Sequence, residues 1–106
     1  MREDCLKIIE HYGINHQQRK LAEEVFELQE AITKYEFTND DNKTLKELGE
    51  GNKWDTYFFK NNIVEELADC MVLLRQFQAH YNIDADQLGT IMYNKIQRTL
   101  KRMEKE

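Results

Sequence analysis

The chain has no proline, four glycines, two cysteines and one tryptophan among 106 residues. Without proline and with little glycine, nothing forces helices to end early, and turn-dense β-architectures lose their usual punctuation. Cys5 and Cys70 stand alone, with no metal or redox spacing between them, which excludes a zinc cluster or a dithiol redox motif. They read as reduced, packed side chains of a cytoplasmic protein. No apolar run approaches the ~18 residues of a membrane span, and no short apolar segment resembles a signal peptide. Basic residues are outnumbered, 15 against 20 acidic, for a net charge of −5. That balance disfavours nucleic-acid and membrane-surface binding, while allowing an acidic partner where a cation or a local basic patch intervenes.

What is present points to one all-helical domain spanning residues 1–106. Glu, Lys, Gln and Leu are abundant, and hydrophobic residues make up 41% of the chain, a composition that favours long helices. Apolar spacing predicts a first helix over 3–12, stopped by Gly13, and a second, capped by Asn15, over about 15–35. In the second, Leu21, Val25, Leu28 and Ile32 form the stripe. Residues 36–60 are the least regular, with a Thr-Asn-Asp-Asp-Asn run, a possible short helix over 44–48 closed by Gly49 and Gly51, and an aromatic cluster of Trp54, Tyr57, Phe58 and Phe59. Base stacking by Trp54 is conceivable there, but a packed tryptophan is the ordinary expectation. A third helix over 63–81 follows, capped by Asn61 or Asn62, and a fourth over 85–104, capped by Asp84. The expected architecture is a bundle of four to five helices. The third helix is apolar on two faces, Ile63-Leu67-Leu74-Tyr81 and Val64-Ala68-Val72, so it needs cover on both sides, and self-association supplies that cover economically.

Two segments share a template. Glu23-Glu24-Val25-Phe26-Glu27 and Glu65-Glu66-Leu67-Ala68-Asp69 each read Glu-Glu, two residues, acid, and the same interval separates Glu24 from Glu66 and Glu27 from Asp69. At about 100° per residue, acids three apart lie within about 60° of each other on one helix face. Wheel geometry sets Glu24 and Glu27, and Glu66 and Asp69, beside the apolar stripes of their helices, with Glu23, Glu30 and Glu65 turned to solvent. One Glu-x-x-Glu alone is most simply a solvated face. Two pairs bordering one packing seam would repel and lose hydration unless a cation neutralised them. Hard oxygen donors without thiolate or imidazole suit Mg²⁺ or Mn²⁺; His11, His16 and His80 form no ligand set with them.

The last helix carries the opposite sign. Leu88, Met92, Ile96, Thr99 and Met103 make its apolar stripe, and Lys95, Arg98 and Arg102 line one edge. Cations late in a helix favour its dipole for that reason alone. Beside an acid-bound metal, they also fit phosphate oxygens.

Taken together, QQRKLAEEVFELQEA over 17–31, EELADCMVLL over 65–74 and the last helix ending NKIQRTLKRME resemble the MazG-like nucleotide pyrophosphohydrolases of the all-α NTP pyrophosphatase superfamily. The resemblance covers most of the chain outside residues 36–60, a segment long for compact members. It implies Mg²⁺ held by Glu24, Glu27, Glu66 and Asp69, phosphate contacts from Lys95, Arg98 and Asn94, a homodimer or homotetramer, and cleavage of a nucleoside triphosphate to monophosphate and pyrophosphate, as in nucleotide-pool clean-up. Lys20, one turn before Glu24, and Arg102 are further phosphate candidates. The general base is open. Phosphoribosyl-ATP pyrophosphohydrolase and dimeric dUTPase activities are sibling readings. A different class of reading is a non-catalytic helical module that senses a nucleotide or binds a protein.

Overall fold

A computed structural model describes the backbone of residues 1–47 and 53–106 and the side chains of residues 1–37 and 60–106. Four helices make up the described chain, with no strand among the described residues: α1 (Arg2–Tyr12), α2 (Ile14–Glu47), α3 (Lys53–His80) and α4 (Ala85–Glu104). No helix is long and apolar enough to cross a membrane among the described residues.

Gly13 stops α1, as the sequence indicates. Its φ of 91° lies where side chains with a Cβ are strained, and its N–H caps Ile9 O at 2.8 Å. A Cβ there would touch nothing within 4 Å, so Gly13→Ala is expected to cost only backbone strain, about 1–3 kcal/mol, seen as a lower melting temperature. Asn15 is not the cap of α2, because the helix begins at Ile14 and Gln17 N donates to Gly13 O at 3.1 Å. Asp84 does cap α4, its Oδ2 accepting from Gln87 N at 2.9 Å.

The middle of the chain departs from the sequence reading. α2 runs on through the Thr-Asn-Asp-Asp-Asn segment to Glu47, and α3 begins at Lys53, so Asn61 and Asn62 lie inside a helix rather than before one. Between Ile14 and Glu47 there is neither glycine nor proline, and the polar residues each cost only a few tenths of a kcal/mol of helix propensity. Gly49, Gly51 and the side chains of Trp54, Tyr57, Phe58 and Phe59 lie outside the described residues.

α2 and α3 form an antiparallel hairpin, with α1 packed against both. On α2 the half-buried and buried positions are Ile14, Gln17, Leu21, Glu24, Leu28, Ala31 and Tyr35, an alternating three–four spacing that keeps one seam facing the partner helix. On α3 the seam runs through Glu66, Cys70, Leu73 and Phe77. Glu24 and Glu66 therefore stand in the seam and not beside it. Val25, Ile32, Leu67 and Leu74, expected in the core, are 43–54% exposed.

The α3 C-terminus closes in a Schellman arrangement. Asn82 takes φ 52°, a conformation asparagine tolerates, while Ile83 N donates to Gln78 O and Asn82 N to Ala79 O. Arg2 of α1 donates to the Asn82 side chain and pins this corner. Beyond it α4 departs and, among the described residues, packs against none of the other helices. Its residues include none that is buried; Met92, Ile96 and Met103 of its stripe are 54–57% exposed.

The molecule is correspondingly open. Its radius of gyration is 18.5 Å, against ~13 Å for a compact chain of this length. Its accessible surface is 8810 Å², where a compact monomer of this mass would show about 6,300 Å².

Candidate functional site: an acidic cluster in the α2–α3 seam

The same seven-residue rhythm that turns Leu21, Leu28 and Leu73 into the seam carries carboxylates into the hairpin. Glu24 is 7% exposed; Glu66 is half-buried and Asp69 exposed. One carboxylate oxygen from each of Glu24, Glu66 and Asp69 lies within 4.8 Å of the others. Glu27 is outside this set of three but near enough to Glu66 to act on its proton affinity. All four acids singled out in the sequence thus converge. Glu23, Glu30 and Glu65 are exposed as expected.

Two observations separate this cluster from a solvated acidic face. Oε2 of Glu24 and Oε2 of Glu66 are buried without any hydrogen-bond partner among the described residues. A buried carboxylate oxygen left unpaired costs free energy that a native protein rarely tolerates without a function for it. The Glu66 carboxyl is also pushed above the usual carboxylate range, first by its removal from water and then by the charges of Glu27, Glu24 and Asp69. Neither feature arises on an exposed helix face.

One cation is already there. Lys20 Nζ lies 3.3 Å from Glu24 Oε1, and the hydrogen bond to Glu24 together with that carboxylate's charge holds the ammonium above its usual range. A single lysine offsets one of four carboxylates. Behind them Cys70 is buried and free, and burial, then the charges of Glu24, Glu66, Asp69 and Glu27, raise its thiol. That shift favours the protonated thiol at neutral pH.

The donor set fits a hard divalent cation: oxygens only, clustered, half out of water, and two of them unsatisfied. The sign of a pH effect follows. A carboxyl whose pKa is raised by folding favours the folded state below its ordinary pKa and loses that contribution as pH rises through the raised value. Metal-free protein is therefore expected to melt higher at mildly acidic than at neutral pH. Added Mg²⁺ or Mn²⁺ should raise the neutral melting point and flatten the pH profile, read by thermal denaturation in chelator and in metal.

The basic stripe does not join the cluster within one chain. Asn94, Lys95 and Arg98, with Ile91, line a separate hollow of about 310 Å³ on α4; Arg102 lies further along the same unpacked helix. The sequence reading expected Lys95, Arg98 and Arg102 beside the core, and among the described residues α4 does not fold back onto it.

Sequence reasoning missed the polar pair next to the acids. Gln17 and Gln76 are 4% and 3% exposed, and Gln17 Nε2 donates to Gln76 Oε1 at 2.7 Å. Glutamines read as surface residues by type. The available signal was register, since Gln17 lies seven residues before Glu24 and Gln76 seven after Asp69. A cavity of about 830 Å³ opens here, lined from Ile8 and Tyr12 of α1 through Lys20 and Glu24 of α2 to Asp69 and Gln76 of α3.

The fold and site define an all-helical protein with a cation-competent carboxylate cluster beside an open cavity. Compared with known proteins, the chain matches no family model, no curated protein and no solved structure.

Proposed function

We propose that the protein is a Mg²⁺-dependent nucleoside triphosphate pyrophosphohydrolase that works as a homo-oligomer, cleaving its substrate between the α- and β-phosphates. The observation that carries this reading is the pair of orphaned carboxylate oxygens, Glu24 Oε2 and Glu66 Oε2, in a four-acid cluster. Glu24, Glu66 and Asp69 would hold the cation, with Glu27 adjoining. The bound cation supplies charge neutralisation for a polyphosphate and lowers the proton affinity of water.

The chain's own groups account for the rest. Four acids cannot accept a polyanion directly, so substrate and cation bind together. In the net reaction a water oxygen bonds to the α-phosphorus and the bond from that phosphorus to the bridging oxygen breaks. Pyrophosphate departs, and the monophosphate retains the new oxygen. Glu27, next to Glu66 but outside the closest three carboxylates, is positioned to take the proton that water releases. Lys20, at the cavity edge, is placed to meet phosphate oxygens when a cation relieves Glu24 of the pairing.

Phosphate binding beside four acids needs more positive charge than Lys20 and the neighbouring Arg19 provide, and α4 carries further cations. A second copy of the chain fits as the source. The unpacked α4 carries an apolar stripe flanked by Lys95, Arg98 and Arg102. The α2–α3 hairpin offers exposed Val25, Ile32, Leu67 and Leu74 alongside net negative charge. The excess accessible surface, roughly 2,500 Å² per chain or about 5,000 Å² for a pair, reaches the upper part of the range of obligate homodimer interfaces. Docked this way, the partner's α4 would bring its basic edge toward the acids, so that the site is completed between chains.

The products decide between this reading and a non-catalytic nucleotide sensor. Incubation with a panel of NTPs and dNTPs plus Mg²⁺, followed by ³¹P NMR, should show monophosphate and pyrophosphate. Diphosphate with orthophosphate would contradict the cleavage position. Binding without turnover would favour the sensor.

A further inference from the structure

The cavity beside the acids holds a hydrogen-bond relay that the hydrolysis itself does not require. His16 Nδ1 lies 2.7 Å from Gln17 Oε1, and Gln17 Nε2 donates to Gln76 Oε1. With the proton on His16 Nδ1, each amide carbonyl is taken and the relay has one direction. Its last group, Gln76 Nε2, donates to no protein acceptor among the described residues, yet it is not among the fully enclosed unpaired atoms. Gln76 lines this cavity, so that amide donor opens into it from a side chain that is 97% buried, being 3% exposed. Arg19, Lys20, Glu23, Glu24 and Asp69 also line the cavity, and the remaining wall is planar or apolar. Tyr12 and His16 stack with centroids 5.1 Å apart and planes 20° from parallel, and Ile8 and Val72 add aliphatic surface. Along both helices the glutamines stand seven residues, two turns or about 10 Å, from Glu24 and Asp69.

We infer that this cavity is a nucleobase subsite in which Gln76 Nε2 donates to the carbonyl at pyrimidine C4 or purine C6, so that the protein prefers bases with a keto group there (uracil, thymine, guanine) over bases with an amino group there (cytosine, adenine). This rests on the nucleotide reading of the acidic cluster. Two helical turns leave room for a sugar between a phosphate at the acids and a base at the glutamines. A flat heteroaromatic ring suits the aromatic and aliphatic walls. The fixed donor then sorts bases by their hydrogen-bonding edge, because an amino group facing it leaves both donors unpaired against a side chain shielded from water.

The test uses binding as well as turnover. UMP, GMP, CMP and AMP, titrated calorimetrically with Mg²⁺ into the full-length protein, should show UMP and GMP binding about tenfold or more tighter than CMP and AMP. Gln76→Glu keeps an oxygen for Gln17 and turns an acceptor toward the cavity, so the order should invert. Val72→Trp, which fills the cavity from its exposed side, should weaken all four while leaving Mn²⁺ binding at the acids intact. Equal binding of the four by folded wild type overturns the inference, as does an unchanged order in folded Gln76→Glu. Should Gln76→Glu fail to fold, the wild-type order and Val72→Trp decide. Failure of the pyrophosphohydrolase reading has a different signature: no triphosphate is cleaved, whatever the order of monophosphate binding.

Discussion

Replacing Glu66 by Gln is expected to stabilise the metal-free protein while abolishing its activity. The substitution keeps the shape of the side chain and removes a charge that sits half out of water against Glu27, Glu24 and Asp69. It also turns an orphaned carboxylate oxygen into part of a neutral amide, whose desolvation costs far less. In chelator at neutral pH the melting temperature should rise above that of wild type. In Mg²⁺ or Mn²⁺ the order should reverse, because wild type gains binding free energy that the variant has lost. Pyrophosphate release should fall at least about a hundredfold, the scale of losing one group that stabilises transition-state charge. Groups that lower stability in service of a site behave in this way. A Glu66→Gln protein that melts lower than wild type in chelator would mean that Glu66 is structurally satisfied and that the cluster is not held in tension.

Two inactive variants are expected to restore activity when mixed. In the proposed assembly the acids come from one protomer and Lys95 and Arg98 from its partner. Glu66→Gln lacks the first; the double variant Lys95→Ala/Arg98→Ala lacks the second. In a dimer reassembled at random from equal amounts, half the particles are mixed, and each holds one complete site. Activity should recover to about a quarter of wild type. The apolar stripe provides a control. Ile96→Asp puts a charge on a helix face whose burial against another chain would stabilise the assembly at about 25 cal/mol per Å², so it should yield monomers by light scattering and no recovery. If mixing restores nothing although both variants form oligomers with wild-type chains, the cations act in their own chain or not at all.

Local chemistry made the ends of the fold legible and left the middle obscure. Gly13 and Asp84 are strong punctuators, and α1 and α4 begin and end within a residue of where their caps place them. Between Gly13 and Gly49 the sequence offered only weak breakers, an Asn-Asp run whose helix penalty is small against the continuation of a long hairpin. The four acids were readable because their template repeats. Their place was misjudged by about a sixth of a turn: wheels drawn on the most hydrophobic residues turned Val25, Ile32, Leu67 and Leu74 inward, whereas the hairpin buries Glu24, Cys70, Leu73 and Gln76. Hydrophobicity alone cannot distinguish a face that packs within the chain from one left open, and here the more apolar faces are the open ones. The same ambiguity hid the position of α4, whose amphipathic pattern fixes a face but not which chain covers it.

The most direct measurement is pyrophosphate release from NTPs and dNTPs in Mg²⁺ by wild type and Glu66→Gln side by side, both shown folded by circular dichroism. The account predicts release by wild type, its loss in chelator, and its near-absence in the variant. Equal release by the two proteins, or none by wild type from any nucleotide, would contradict it.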